Sequence, residues 1–343
     1  CNTFVSDPEK RQNLLFVNQG NDAAGIPQFE EMAAAYGIAD TTHSANAQFF
    51  DCDNDGDLDL FVAVNFMDKD NPNQYFKKAT DGSSPNRDRL YRNDWVAKVG
   101  HPVFTDISVQ AGLKWDGYSH SSLVSDFNGD GWPDIYVAND YVTNDLIYVH
   151  DTAASAYTNR IAGIFKHQAA SAMGSDVADI NNDGRLDLFT TEMLPYHNKR
   201  KKLFLNANNY STYINNEVYG YEYQFSRNTL QLNRGIDAET GLPVFSDVAF
   251  MGNLQETEWS WTPLMADFDN DGNRDIFVTN GFPRDVTDHD FNNYRSTVSY
   301  LLPPMEMQEA IPQIKVPKFV FHNDGNLHFT DLSKQWGVDV PAF

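Results

Sequence analysis

One spacing of oxygen-bearing residues recurs four times in this chain. Residues 51–59 read DCDNDGDLD, 126–134 read DFNGDGWPD, 179–187 read DINNDGRLD and 267–275 read DFDNDGNRD. The shared pattern is D-x-[DN]-x-D-G-x-x-D. Positions 1, 3, 5 and 9 are Asp51, Asp53, Asp55 and Asp59; Asp126, Asn128, Asp130 and Asp134; Asp179, Asn181, Asp183 and Asp187; and Asp267, Asp269, Asp271 and Asp275. Position 6 is always Gly, which permits a sharp turn. Position 7 is Asp57, Trp132, Arg185 or Asn273. That variety is expected where only the backbone carbonyl is used. Calcium takes six to eight oxygens at about 2.3–2.6 Å. Oxygen donors alone select it over zinc and copper, and magnesium prefers fewer protein ligands and retains water. Asp at position 9 is expected to complete the shell, with one or both oxygens. A helix–loop–helix calcium site would need Glu at position 12. Val62, Val137, Thr190 and Val278 stand there instead. One such loop would read as a solvated turn; four copies in phase predict four calcium sites of structural role.

The elements around the loops must be strands. Short apolar stretches rich in β-branched and aromatic residues follow at 60–64, 135–138, 188–191 and 276–279. Half-units resembling two further strands occur at 90–93 with 104–106, at 230–233 with 245–247 and at 319–323 with 329–331. Weaker copies stand at 15–18 with Phe29 and at 146–149. Repeats of several short strands that cannot bury their own faces pack on their neighbours, so the expected fold is an all-β propeller. A sandwich or solenoid is the alternative. The loops start 75, 53 and 88 residues apart, so insertions separate them. If each half-unit leads the loop that follows it, the last blade is incomplete and the chain belongs to a larger polypeptide. The domain reading is an N-terminal tether over 1–13 and propeller repeats over 14–343. Insertions fall at about 66–88, 192–227 and 284–316. The second insertion holds a basic cluster, residues 199–202, and then Tyr210, Tyr213, Tyr219, Tyr221 and Tyr223. The third is proline-bounded, with a short helix expected near 305–310.

Composition narrows the partners. The chain has 343 residues, 25 Lys plus Arg and 48 Asp plus Glu, for a net charge of −23. Nucleic-acid backbones and anionic lipid surfaces need the opposite sign. No apolar run is long enough for a spanning helix, so membrane attachment is expected only through a lipid on Cys1. Cys1 precedes polar Asn2 and Thr3. Two cysteines cannot build a disulfide scaffold or a tetrahedral zinc site, and Cys52 is expected as a small buried thiol inside the first loop.

Catalytic motifs are absent: no G-x-S-x-G elbow, no H-E-x-x-H and no phosphate-cradling glycine loop. The paired carboxylates nearly all belong to the acidic loops. His120 and His167, with Tyr118, Trp259 and Trp261, are expected on lead-in strands near a propeller axis. There they serve packing or, alternatively, stack on a sugar or peptide.

The loops resemble the FG-GAP and VCBS repeats of integrin-α-type propellers. The stretches 117–122, 138–141, 171–174, 192–195, 225–233, 259–261 and 279–286 resemble bacterial VCBS-repeat proteins related to cartilage acidic protein, often with an ASPIC/UnbV segment. The resemblance implies calcium loops and a larger propeller of about seven blades. It also implies a lipid-anchored protein, through Cys1, on the outer face of the outer membrane of Bacteroidota. Such proteins look non-enzymatic and are linked to uptake systems. The expected function is therefore a calcium-stabilised binding module that partners a TonB-dependent transporter or another surface lipoprotein, with glycan or peptide as further ligands. The alternatives are a polysaccharide lyase or hydrolase, or an adhesin.

Overall fold

The computed structural model describes residues 5–67, 71–204, 209–301 and 303–341, so the lipidation expected at Cys1 lies outside the described residues. The chain forms two compact units, Cys1–Ile161 and Ala162–Phe343. In the first, β1 (Phe16–Asn21) and β2 (Pro27–Glu31) pair as a hairpin. Two antiparallel meanders follow. One runs β3 (Ser44–Phe50), β4 (Asp59–Val64), β5 (Arg89–Val96) and β6 (His101–Asp106). The other runs β7 (Ser119–Ser125), β8 (Asp134–Asn139), β9 (Leu146–Asp151) and β10 (Ala156–Asn159). A single helical turn, α1 (Ile161–Ile164), comes next.

In the second unit, β11 (Gln168–Ala169) leads a meander of β12 (Ser175–Ala178), β13 (Asp187–Thr190), β16 (Thr229–Ile236) and β17 (Pro243–Asp247). The last sheet is β18 (Glu258–Ala266), β19 (Asp275–Asn280), β20 (Phe319–Asn323) and β21 (Phe329–Asp331), with β14 (Met193–Leu194) on the far edge of β18. β15 (Gln224–Phe225) pairs in parallel with β11. The insertions carry α2 (Asn198–Leu203), α3 (Tyr210–Tyr219), α4 (His289–Val298) and α5 (Pro304–Glu309), the last where a short helix was expected.

Burial explains why the apolar runs became second strands. Every residue of β4, β8 and β13 is buried, because these strands lie inside their sheets and are covered on both faces. First strands alternate more, as β3 does. Phe61, Leu90, Ile135, Leu146 and Tyr148 share one core in the first unit; Phe189, Leu230, Ile276 and Phe319 share another in the second. First strands of neighbouring sheets lie side by side, β3 with β7 and β12 with β18. Gln48 Nε2 donates to the Ser122 carbonyl at 2.6 Å, and the Met265 amide donates to Asp176 Oδ2 at 2.6 Å. Four-stranded meanders packed this way are β-propeller blades.

The phase of the repeat differs from the expectation. Each half-unit trails its acidic loop. Strands β20 and β21 close the fourth sheet, whose loop is 267–275, and do not lead a further one. The half-unit left over is the β1–β2 hairpin. A periodic sequence does not say where its unit begins; only the hydrogen-bonded order of strands does.

Within each of the four blades the acidic loop joins the first strand to the second, and the connection from second to third strand starts at the opposite end. All three insertions, 66–88, 192–227 and 284–316, lie in that second connection. Each blade thus has an acidic end and an end free to vary.

Candidate metal centres and the insertions opposite them

The four loops share one hydrogen-bonded scaffold. Position 1 accepts the amides of positions 5 and 6: Asp55 and Gly56 donate to Asp51 at 3.1 and 2.9 Å, and Asp271 and Gly272 donate to Asp267 at 3.1 and 3.0 Å. Position 5 accepts the amide of position 7, as Asp57, Trp132, Arg185 and Asn273 donate to the aspartate two residues earlier at 2.7–3.0 Å. Position 4 was not singled out by the sequence, yet it carries a constraint of its own. Asn54, Gly129, Asn182 and Asn270 all have φ between 57° and 73°, a left-handed conformation that Gly and Asn tolerate best. Two of them also join loops of adjacent blades. Asn54 Nδ2 reaches the Gly131 carbonyl at 3.4 Å, and Asn182 Nδ2 reaches the Gly272 carbonyl at 3.1 Å.

Position 9 does more than expected. Asp59, Asp134, Asp187 and Asp275 are wholly buried. One oxygen of each accepts the amide of position 2 in the loop, from Cys52, Phe127, Ile180 and Phe268 at 2.8–3.2 Å. The other accepts an amide of the third strand, from Asn93, His150, Asn233 and Asn323 at 2.7–3.0 Å. Each aspartate therefore ties its loop to its sheet before any ion is considered, and an ion would share oxygens already in use.

The electrostatics leave a charge deficit. Burial pushes Asp134 up to about 7 against its two amide bonds, with Asp130 and Asp126 adding like charge. Asp187 rises to about 6 for the same reasons. In the first loop burial raises Asp53, and Asp59, Asp55 and Asp51 raise it further. The donor set fits a hard divalent cation. Single oxygens of Asp51, Asp53 and Asp59 lie within 4.8 Å of one another, as do those of Asp267, Asp269 and Asp275. Asp53 Oδ1 and Asp57 Oδ1 are shut from solvent with no hydrogen-bond donor, and buried acceptors of that kind are what a cation satisfies. In each loop the side chains of positions 1, 3, 5 and 9 and the carbonyl of position 7 would hold the ion.

Two loops meet a basic side chain as well. Arg185 pairs with Asp183, and His322 Nε2 lies 3.1 Å from Asp269 and 3.6 Å from Asp271. His322 Nδ1 in turn meets Asp324 at 2.9 Å. Cys52 is buried, and its thiol is pushed up by that burial and by Asp59, so it is inert as a nucleophile.

The singled-out aromatics have partners within the protein, although Trp261 is partly exposed. Tyr118 is buried edge-on to Tyr141, Trp259 stacks on Phe282 with centroids 3.7 Å apart, and Trp261 Nε1 donates to the Gly281 carbonyl at 2.6 Å. His120 lies on β7, and burial lowers its imidazole. His167 is not on a lead-in strand. It precedes β11, where Nε2 meets Asp247 at 2.8 Å and Arg227 pairs with the same carboxylate at 2.6 Å. In the second insertion, the basic cluster is partly used internally. Arg200 bonds Glu258 at 2.9 Å and also Asp285, both carboxylates being buried, while Lys201 pairs with Glu256.

Residues 126–190, the second and third acidic loops with the strands between them, match the FG-GAP-like repeat family. A search of curated proteins found no match. Among solved structures, the chain is similar to an Agrocybe aegerita lectin described for specific recognition of non-reducing terminal N-acetylglucosamine. Identity is 10%, coverage is 93% of this chain and 79% of that one, and the TM-score is 0.32. A likeness that slight carries nothing about the ligand of this chain.

Proposed function

We propose that this protein is a calcium-stabilised binding module whose blades are stapled at their acidic ends and whose insertions, at the opposite ends, do the recognising. The observation that carries this reading is the placement of all three insertions in the same inter-strand connection, away from the acidic loops. Recognition commonly sits on loops held by a rigid scaffold. Four bound calcium ions would bring the charge of −23 to −15 and remove the repulsion among clustered carboxylates. The cellular setting belongs to the same proposal: a lipid on Cys1, the outer face of a bacterial outer membrane, and a transporter or surface lipoprotein as partner.

The test is extraction from native membranes in mild detergent, with intact mass and identification of co-purifying proteins. A mass increment of acyl chains at Cys1 and a stoichiometric outer-membrane partner, lost on deletion of residues 199–223, are the expected results. An unmodified Cys1 with no partner would overturn the setting.

A further inference from the structure

Beside α3, in the second insertion, is a cavity of about 320 Å³. Its walls are the rings of Tyr210, Tyr213 and Tyr223 and the polar side chains of Thr212, Asn216 and Gln224. Tyr213 and Tyr223 stack nearly parallel, 3° apart, with centroids separated by 5.1 Å. The Tyr223 hydroxyl donates to Glu217 Oε1 at 3.0 Å. Tyr210 stands at the rim with 78% of its surface exposed.

The cavity is held in shape from both sides. Helix α3 is capped at its start by Asn209, which accepts the Thr212 amide at 3.0 Å, and at its end by Gly220 in a left-handed conformation. The opposite wall is pinned to a strand. Gln224 and Phe225 are in register with Gln168 and Ala169, and the Tyr223 carbonyl accepts the Gln168 amide at 2.9 Å. Asn216 is buried at the floor. Preformed concave sites with aromatic walls and a few convergent polar groups are typical of small-ligand recognition.

The lining also selects a chemical class. Among the described residues, no Lys, Arg, Asp or Glu lines it, so a phosphate, a carboxylate or a charged peptide finds no counter-ion in that lining. The chain's charge of −23 further disfavours an anion. Tyrosine rings give rigid flat area at low entropic cost, which suits the C–H face of a pyranose. We propose that this cavity binds a neutral oligosaccharide, one ring lying against the exposed tyrosines. The proposal rests on the binding-module reading and gives that module a ligand class.

The test is native affinity electrophoresis of the full chain, with calcium, in gels containing soluble starch, galactomannan, xyloglucan or mixed-linkage β-glucan. Calorimetric titration with the oligosaccharide of the retarding polymer follows. At least one neutral polymer should retard the protein. Tyr210→Ala and Tyr213→Ala should weaken binding about ten-fold or more. Tyr213→Phe, which keeps the ring, should stay close to the parent. Trp95→Ala, an exposed aromatic on β5, should change nothing. Retardation by no neutral polymer, by anionic pectate alone, or equally lost in Trp95→Ala would overturn the assignment. If no polymer retards while a co-purifying partner still depends on residues 199–223, the sugar ligand is refuted and the binding module stands. If the partner is lost as well, both fail.

Discussion

Asp134 does two jobs at one carboxylate. It accepts the Phe127 and His150 amides, each at 3.0 Å, and it sits among the donors a cation would use. These jobs separate by mutation. Asp134→Ala strands two buried amides, at about 1–3 kcal/mol each, so it should lower the urea midpoint in EGTA as well as in calcium. Asn128, whose side chain bonds its exposed neighbour Asp130, is different. Asn128→Ala should cost stability in calcium and little in EGTA; equal losses in both would contradict the division of roles. The donors were legible from spacing alone. The second amide bond of position 9 was not, since its partner lies on a strand 16 residues later in this blade and 48 later in the fourth.

A second residue-scale feature escaped the sequence reading altogether. Asp88 Oδ1 accepts the Val64 amide at 2.9 Å, Asp145 Oδ1 accepts the Asn139 amide at 2.9 Å, and Asn228 Oδ1 accepts the Glu192 amide at 2.8 Å. These are equivalent places just before the third strand, and the third repeat fills its place with a neutral amide. Burial pushes both Asp88 and Asp145 up to about 7, against their amide bonds, which agrees with a near-neutral group being wanted there. Their ordinary value is 3.8. Between 3.8 and about 7 the folded chain holds protons that the unfolded chain has released. Their contribution to stability is therefore present at low pH, falls as pH rises through that window, and is flat above it. Replacing both by Asn should flatten the dependence of the urea midpoint on pH between 4 and 7 in EGTA, relative to the parent. An unchanged slope would show that these carboxylates are ionised throughout.

At the scale of elements, the second insertion is anchored to the neighbouring blade and not merely appended. Arg200 of α2 reaches Glu258 on β18 and Asp285 in the third insertion, so one guanidinium ties two insertions to one strand. Both carboxylates are nearly inaccessible. Removing the guanidinium leaves them buried and unpaired, for which about 3–5 kcal/mol is typical. Arg200→Ala should lower the unfolding midpoint by a corresponding amount, and Arg200→Lys should recover only part, since a single ammonium cannot fork between two carboxylates. A loss below about 1 kcal/mol would mean that the pair is screened by water. The sequence showed a basic cluster there. It could not show that part of it is spent on residues 58 and 85 positions away. Gly174 teaches the same lesson. It stood out within a motif, but its reason is tertiary: a Cβ would come within 2.2 Å of the Trp261 carbonyl oxygen on the neighbouring β18. Strand identity was legible from apolar runs, whereas the phase of the blades was not.

At the scale of the whole molecule, 48 acidic against 25 basic residues is a cost that the fold must offset. Much of that excess is gathered into four loops, where like charges are held together by amide bonds that position them without neutralising them. A divalent cation in each loop would convert that repulsion into attraction and would stabilise only the folded chain, in proportion to its occupancy. The most direct measurement is thermal unfolding of EGTA-stripped protein, repeated with about 1 mM calcium, in the range that extracellular modules bind, and with magnesium at the same concentration. A clear rise in melting temperature with calcium, little or none with magnesium, and reversal by EGTA are the predicted results. Identical melting curves in EGTA and in calcium would contradict the central claim that these loops are calcium staples.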